Sequence, residues 1–113
     1  MSLVITTKIL SDAVIIDLSD KSCFLESALQ KRVKELLEAG YRDFVVNLTD
    51  LPYLDSFALG ELISIWTSIN GRGGRMVLVK PTPDVREVLE MTKVDRVFPI
   101  VQSEERAIRR LQK

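Results

Sequence analysis

Two short runs of aliphatic and β-branched residues open the chain. They span Val4 to Ile9 and Ala13 to Leu18, and the polar pair Ser11-Asp12 separates them. Residues of these types favour strands, and a short polar break between two strands is typical of a tight turn. The pattern predicts a β-hairpin at the start of the fold.

Apolar residues then recur in four groups with the three- and four-residue steps of a helix face. The first group is Leu25, Leu29, Val33, Leu36 and Leu37. The second group is Leu59, Leu62, Ile63, Trp66 and Ile69. The third is Val85, Val88 and Leu89, and the fourth is Ala107, Ile108 and Leu111. We predict amphipathic helices with these residues facing the core.

Glycine and polar residues mark where these helices begin and end. Gly40 and Asn70-Gly71 follow the first two groups, at positions where a helix commonly stops. Asp55, Thr82-Pro83-Asp84 and Ser103-Glu104-Glu105 precede the second, third and fourth groups, and each segment offers a side chain that can cap a helix N-terminus. The second helix is therefore predicted to begin near Asp55.

Continuous apolar runs lie between the predicted helices. Phe44 to Leu48 and Met76 to Val79 lack alternation, which is typical of strands covered on both faces, and Val97 to Val101 predicts a last short strand. Strands that alternate with helices form parallel sheets through right-handed crossovers. The sequence predicts a single α/β domain over residues 1–113, with a mostly parallel mixed β-sheet flanked by about four helices and opened by the N-terminal β-hairpin.

The charge balance limits the kinds of partner. The chain has 113 residues, of which 46% are hydrophobic, and this is enough for one core. Sixteen basic and sixteen acidic residues cancel, so no overall field attracts nucleic acid or an anionic bilayer. No segment approaches the roughly twenty apolar residues of a membrane span. We expect neither a nucleic-acid partner nor direct membrane insertion.

Histidine is absent and cysteine occurs once. The absence of histidine removes the most common general base and most zinc or iron sites. A hydrolase built on Ser56 would need another base such as Lys80, and the sequence gives no sign that the two meet. Cys23 cannot form an intrachain disulfide, which suits the cytoplasm. We expect no enzymatic activity, no metal, no cofactor and a cytoplasmic location.

The segment Phe44 to Gly60 joins a buried strand to a helix through a loop that contains proline. Its pairs Asn47-Leu48, Asp55-Ser56 and Leu59-Gly60 resemble the STAS family, in particular the anti-sigma factor antagonists of that family. The resemblance continues through Gly73 to Val79 and on toward the C-terminus. It implies a regulatory binding protein.

In this family the serine after the aspartate is phosphorylated by an anti-sigma factor with kinase activity, and only the unmodified form binds that partner. Ser56 occupies this position. The resemblance therefore implies phosphorylation of Ser56 and, as partner, an anti-sigma factor or a serine kinase of the switch type. The start of a helix can also accommodate a phosphate, which adds about −1.5 to −2 charge at neutral pH.

A helix that begins near Ser56 turns several positions away from its apolar face. The predicted partner-binding residues are Asp55, Ser56, Phe57, Gly60, Glu61 and Ser64. For Phe57 two alternatives are open: it is an exposed apolar anchor for the partner, or it folds onto Tyr53 or Leu54. At Gly60 the missing side chain would let a second backbone come close.

A second interpretation of Asp55-Ser56 is a helix cap in a constitutive scaffold subunit, since STAS domains also occur in stressosome and transporter complexes. Phe57-Ala58 is similar to the stressosome branch, whereas antagonists usually have a small residue and then glycine here. Antagonists also have a glycine and an aspartate before the first helix, and Leu18 to Phe24 lacks that glycine. The choice between antagonist and scaffold stays open at this point.

Two basic segments complete the sequence. Gly71 to Arg75 is predicted to be a helix-to-strand turn, because it lacks the Gly-Lys-Ser/Thr ending of a phosphate loop. Arg106, Arg109, Arg110 and Lys113 share helical spacing, and cations near a helix C-terminus are favoured by the helix dipole. The alternative for these four residues is a basic contact patch.

Overall fold

Strands and helices alternate along the chain after an initial hairpin. The computed structural model describes residues 5–19 and 28–112. Within them the strands are β1 Ile5–Leu10, β2 Ala13–Leu18, β3 Asp43–Asn47, β4 Arg75–Val79 and β5 Ile100–Val101. The helices are α1 Ala28–Glu38, α2 Ser56–Gly71, α3 Pro83–Met91 and α4 Glu104–Leu111, with a 3₁₀ turn at Val94–Arg96.

The hairpin turn has left-handed backbone at both of its central residues. Ser11 has φ 53° and Asp12 has φ 68°, and Leu10 pairs directly with Ala13. Two central residues with positive φ define the turn type whose twist matches that of two antiparallel strands. Asp tolerates this conformation better than most residues. The predicted hairpin is confirmed.

The described strands form one mixed sheet in the order β1-β2-β3-β4-β5. β1 and β2 are antiparallel, and every later neighbouring pair is parallel. Each parallel connection contains a helix, as crossovers of this kind require. The predicted fold class, a mostly parallel mixed sheet with flanking helices behind a hairpin, is confirmed.

The sheet has helices on both faces because its strands send alternate side chains to two cores. Val14 and Ile16 of β2 contact the larger core, which α1, α2 and α3 cover. Ala13 and Ile15 contact the smaller core, which α4 covers. All four side chains are at most 2% exposed. This two-sided burial is the reason that the parallel strands appear in the sequence as uninterrupted apolar runs.

The turn from α2 to β4 depends on two adjacent glycines. Gly73 has φ 79°, and the Gly74 amide donates a hydrogen bond to the Ile69 carbonyl at 2.9 Å, which closes the helix end. A Cβ on Gly74 would lie 2.2 Å from the carbonyl oxygen of Arg42. The predicted helix-to-strand turn is confirmed, and α2 ends at Gly71 as the Asn70-Gly71 pair predicted, but the glycine with the left-handed backbone is Gly73.

The last predicted strand is shorter in the structure. The last strand is Ile100–Val101 rather than residues 97–101, because the Phe98 amide donates to the Val94 carbonyl at 2.9 Å and keeps this part of the chain coiled. Phe98 is thereby buried in the larger core. The predicted start of the first helix at Leu25 lies outside the described residues, as do Asp20 and Cys23.

Candidate functional site

The start of α2 lies at the carboxyl edge of the parallel strands. β3 ends at Asn47 and β4 ends at Val79, and the loop of residues 48–55 leads from β3 into α2. The Leu48 amide donates to the Val79 carbonyl at 2.9 Å, so the loop leaves the sheet beside the end of β4. Ligands of open α/β sheets bind at this edge.

The core holds this loop in one position. Leu51 and Leu54 are buried in the larger core, at 0% and 4% exposure. The Leu51 amide donates to the Leu48 carbonyl at 3.1 Å, and the Thr82 hydroxyl donates to the Leu51 carbonyl at 3.3 Å. These anchors fix the place where α2 begins, because the apolar side chains cannot leave the core without exposing their surface to water.

Hydrogen bonds of Asn47 link the end of β3 to α4 on one face of the sheet. Its Oδ1 accepts hydrogen bonds from the Thr49 amide at 2.9 Å and the Thr49 hydroxyl at 2.6 Å. Its Nδ2 donates to Oε2 of Glu104 at 2.8 Å, and Oε1 of Glu104 pairs with Lys8 at 3.2 Å. The family resemblance includes Asn47 without showing this role, which only the contact with α4 reveals.

Asp55 is the N-cap of α2. Its Oδ1 accepts a hydrogen bond from the Ala58 amide at 2.8 Å, and its carbonyl accepts from the Leu59 amide at 2.9 Å. The backbone of Asp55 is extended, as the cap position requires. The capping role predicted for the Asp55-Ser56 pair therefore belongs to Asp55, and the interpretation of Ser56 as mainly a cap is wrong.

Ser56 is the first residue of the helix and is exposed. No described residue forms a hydrogen bond with its hydroxyl, and none accepts from the backbone amides of Ser56 or Phe57. Amides at this end of a helix lack partners within the helix and carry its positive dipole end. The geometry thus presents a free hydroxyl next to two donors that suit an anion.

An apolar side chain stands beside this hydroxyl. Phe57 is 56% exposed, so of its two predicted conformations the structure adopts the outward one. Tyr53, in the preceding loop, is 46% exposed. Gly60 is exposed one turn further along, and no atom lies within 4 Å of a Cβ built on it. Ser64 continues this side of α2 and is half-buried.

Glu61 departs from the prediction that it is a partner-binding residue away from the apolar face of α2. It is 8% exposed, and its Oε2 accepts a hydrogen bond from Gln30 of α1 at 2.5 Å. Its Oε1 has no partner among the residues that the structure describes. The reason is that α2 packs against both the sheet and α1, which widens its buried side. Ile65 is also buried, whereas Ile63, predicted to face inward, is 39% exposed, so the buried side of α2 is rotated from the predicted one.

The site gathers most of the predicted residues on one surface. We call Asp55, Ser56, Phe57, Gly60 and Ser64 the Ser56 surface. Glu61 lies under it and is not part of it.

Across the described ranges, no helix combines the length and apolar character needed to cross a membrane.

The chain matches the STAS domain over residues 4–107. A Thermotoga neapolitana protein, named as a proposed anti-sigma factor antagonist, is 34% identical over 108 residues, which cover 93% of this chain and 95% of that protein. The crystal structure of a Thermotoga maritima protein with the same description superposes with a TM-score of 0.83 at 30% identity, covering 96% of this chain and 95% of that one.

The phosphorylated form of the Bacillus cell fate determinant SpoIIAA superposes with a TM-score of 0.73 at 20% identity, covering 94% of this chain and 97% of that one. At this identity the likeness concerns the fold. The Thermotoga proteins support the family assignment more strongly, because they match in sequence over most of both chains. The Thermotoga relatives are named as proposed anti-sigma factor antagonists, and the chain belongs to the STAS domain family.

Proposed function

We propose that this chain is a regulatory binding protein under phosphorylation control. Its unmodified form binds an anti-sigma factor or a serine kinase of the switch type, and phosphorylation of Ser56 releases that partner. The observation that carries the proposal is the exposed Ser56 hydroxyl, which is free of hydrogen bonds to described residues while Asp55 caps the helix. The role requires no catalysis by this chain, and we assign it to the cytoplasm.

A kinase must reach the hydroxyl without unfolding its substrate. Ser56 meets this condition because it is exposed at a helix start that buried Leu51 and Leu54 hold in place. Since the hydroxyl takes no part in the cap, its modification leaves the capping hydrogen bond to Ala58 intact. The free protein can therefore carry the phosphate, and the helix amides supply donors for it.

When a partner covers Ser56, the phosphate charge destabilises the complex. A phosphate on Ser56 adds about −1.5 to −2 charge next to the Asp55 carboxylate. In an interface this charge is repelled by Asp55 and loses its hydration unless the partner supplies cations. A penalty of about 3 kcal/mol lowers affinity by roughly two orders of magnitude, which is enough for release.

Phe57 is the proposed anchor of the interface. Aromatic side chains that become buried at the centre of an interface often contribute most of the binding energy. Phe57 lies directly after Ser56 and is 56% exposed in the free chain, so a partner that covers it also covers the hydroxyl. Gly60 and Ser64 extend the same surface with small residues that let a partner come close.

Affinity capture from lysate of the source cells, followed by intact-mass analysis, tests the proposal. The baits are the unmodified protein, Ser56→Ala and Ser56→Asp, with Ser68→Asp as control, because Ser68 is also exposed on α2 but lies near its other end. We expect the first two baits and the control to retain an anti-sigma factor or kinase that Ser56→Asp loses. Equal capture by Ser56→Asp, or a phosphate on another residue, contradicts the proposal.

The exposed Phe57 also favours a second candidate, a constitutive scaffold subunit of a stressosome-like or transporter-associated complex. In that case an apolar anchor serves assembly and Ser56 has no regulatory role. Ser56→Asp would then leave the complex intact, while Phe57→Ala would disrupt it. The two candidates thus differ in the effect of a charge at Ser56.

A further inference from the structure

The outer edge of β4 is only partly paired. β5 is short and pairs with Leu78 and Val79. The amides of Leu78 and Lys80 donate to the Pro99 and Val101 carbonyls at 2.8 and 2.9 Å. Amides of a strand alternate in direction, so the amide of Met76 points to this same side, where the described part of the chain has no strand beside it. The amide and carbonyl of Met76 therefore have no strand partner on this side, and the residue, which is 2% exposed overall, can be reached only through the groove that it lines.

A groove of about 840 Å³ lies along this edge. Val77 and Val101 line it on the face of the sheet that α4 covers. Trp66 of α2 and the exposed Val97 line it on the other side. We call it the β4 groove. None of these residues belongs to the Ser56 surface, so the groove is a separate feature of the fold.

The charged side chains that line the β4 groove are all basic. Its lining includes Arg75, Arg106, Arg109 and Arg110 but no aspartate or glutamate, although the whole chain has zero net charge. Arg75 pairs with Asp43 at 3.3 Å and donates to the Leu111 carbonyl, and Arg109 pairs with Glu105 at 3.3 Å.

Arg106 and Arg110 differ from the other two arginines. Both are exposed, and neither forms an ion pair with any residue in ranges 5–19 and 28–112. Two cations without ion-pair partners produce a local positive potential despite the neutral chain. This potential favours an anionic occupant.

We propose that the β4 groove binds an extended acidic segment of a partner protein, which adds a strand to the free edge of β4. Strand addition supplies partners for the backbone groups of Met76. Successive side chains of the added strand point to opposite faces of the sheet. Those on the α4 face meet Arg106 and Arg110, and those on the α2 face meet Trp66 and Val97.

The expected ligand therefore alternates acidic and apolar residues. Pairing with the backbone of β4 distinguishes a protein segment from other anions. A nucleic acid or a free phosphate can use the arginines, but neither can continue the backbone ladder of β4. The inference is independent of the function proposed for Ser56.

Binding of fluorescein-labelled peptides to the full chain tests the inference. The probes are a short peptide of alternating Glu and Val, a Lys-Val peptide of equal length, and a Glu-Val peptide with methylated backbone amides that cannot complete a ladder. We expect the first probe to bind at least about tenfold more tightly than the other two. Its addition should shift the NMR amide signals of Met76 and Val77.

Charge reversal locates the binding site. The double variant Arg106→Glu/Arg110→Glu should bind the Glu-Val peptide about tenfold more weakly, and the neutral pair Arg106→Gln/Arg110→Gln should show a smaller loss. Lys34→Glu is the control, because Lys34 is exposed on α1 across the sheet. Thermal melts of each variant verify that the fold persists.

Several results would overturn the inference. Equal affinity for the Glu-Val and Lys-Val peptides removes the role of charge, and equal affinity for the methylated peptide removes strand addition. Shifted signals confined to residues outside the groove place the peptide elsewhere. Tighter binding of a single-stranded DNA oligonucleotide than of the Glu-Val peptide assigns the arginines to nucleic acid instead.

Discussion

The carboxylate of Asp55 accepts a hydrogen bond from the Ala58 amide at 2.8 Å, so the cap of α2 does not use the hydroxyl of the neighbouring Ser56. Sequence alone cannot divide these roles, because Asp and Ser are both favoured at helix N-caps. In this fold the aspartate caps the helix start, and the serine hydroxyl stays exposed. The separation of the two roles leads directly to a measurable difference in stability.

Replacing each residue of this pair should have a different effect. Asp55→Ala removes the cap and should lower the free energy of unfolding by about 1 kcal/mol, whereas Ser56→Ala should change it by less than about 0.5 kcal/mol. Urea denaturation of both variants measures the difference. Asp55→Asn keeps an oxygen acceptor and serves as the control. A larger loss from Ser56→Ala than from Asp55→Ala would reverse the assignment.

Phe57→Ala should weaken partner binding without unfolding the domain. Phe57 is 56% exposed, so the free protein loses little buried surface on its removal. If the side chain anchors the interface, affinity should fall about thirtyfold, which corresponds to about 2 kcal/mol. Titration calorimetry with the captured partner measures this change. Met91→Ala is the matched control, since Met91 is 74% exposed on α3, and an equal effect of both variants would exclude Phe57 as an anchor.

Gln30→Ala should destabilise the contact between α1 and α2. Gln30 donates the hydrogen bond that Glu61 accepts at 2.5 Å, and its loss leaves a buried carboxylate with fewer partners. We expect a loss of about 2 kcal/mol in unfolding free energy. Adding Glu61→Met to this variant should restore most of the loss, because the unpaired acceptor is then absent. Gln102→Ala, at an exposed position, is the control.

If the Gln30→Ala variant is as stable as the control, the buried carboxylate has found other hydrogen bonds. A double variant no more stable than Gln30→Ala would show that the stability comes from packing of the side-chain stems rather than from the hydrogen bond. The cycle of the two single variants and the double variant therefore separates polar from apolar contributions at this interface.

Gly74→Ala and Gly71→Ala should have opposite effects. A Cβ on Gly74 would lie 2.2 Å from the Arg42 carbonyl oxygen, which is backbone and cannot move aside without distorting the start of β3. We expect a loss of more than about 2 kcal/mol. At Gly71 a Cβ meets no atom within 4 Å, and alanine should be neutral or stabilising by up to about 1 kcal/mol. Melting temperatures of the two variants provide the comparison. Similar values would show that the backbone at the start of β3 shifts to accommodate the methyl group without loss of stability.

The sequence by itself determined the elements and their order. Hydrophobic periodicity and capping residues are local signals, and they predicted the hairpin, the central strands and the helices that follow them. The pairs Asn47-Leu48 and Asp55-Ser56 also indicated the family, because both fall at a strand end and a helix start. These signals need only the residues next to them in the chain.

The tertiary structure decided which side chains those elements leave accessible. Glu61 is buried because α1 covers one flank of α2, and Phe57 is exposed because nothing in the described fold covers the start of that helix. Asn47 meets Glu104 from 57 residues away, and Arg106 and Arg110 line the groove beside the part of β4 that β5 does not pair. Such relationships depend on how helices and strands pack against one another, and helical or strand periodicity within one segment carries no information about the neighbour that will cover it.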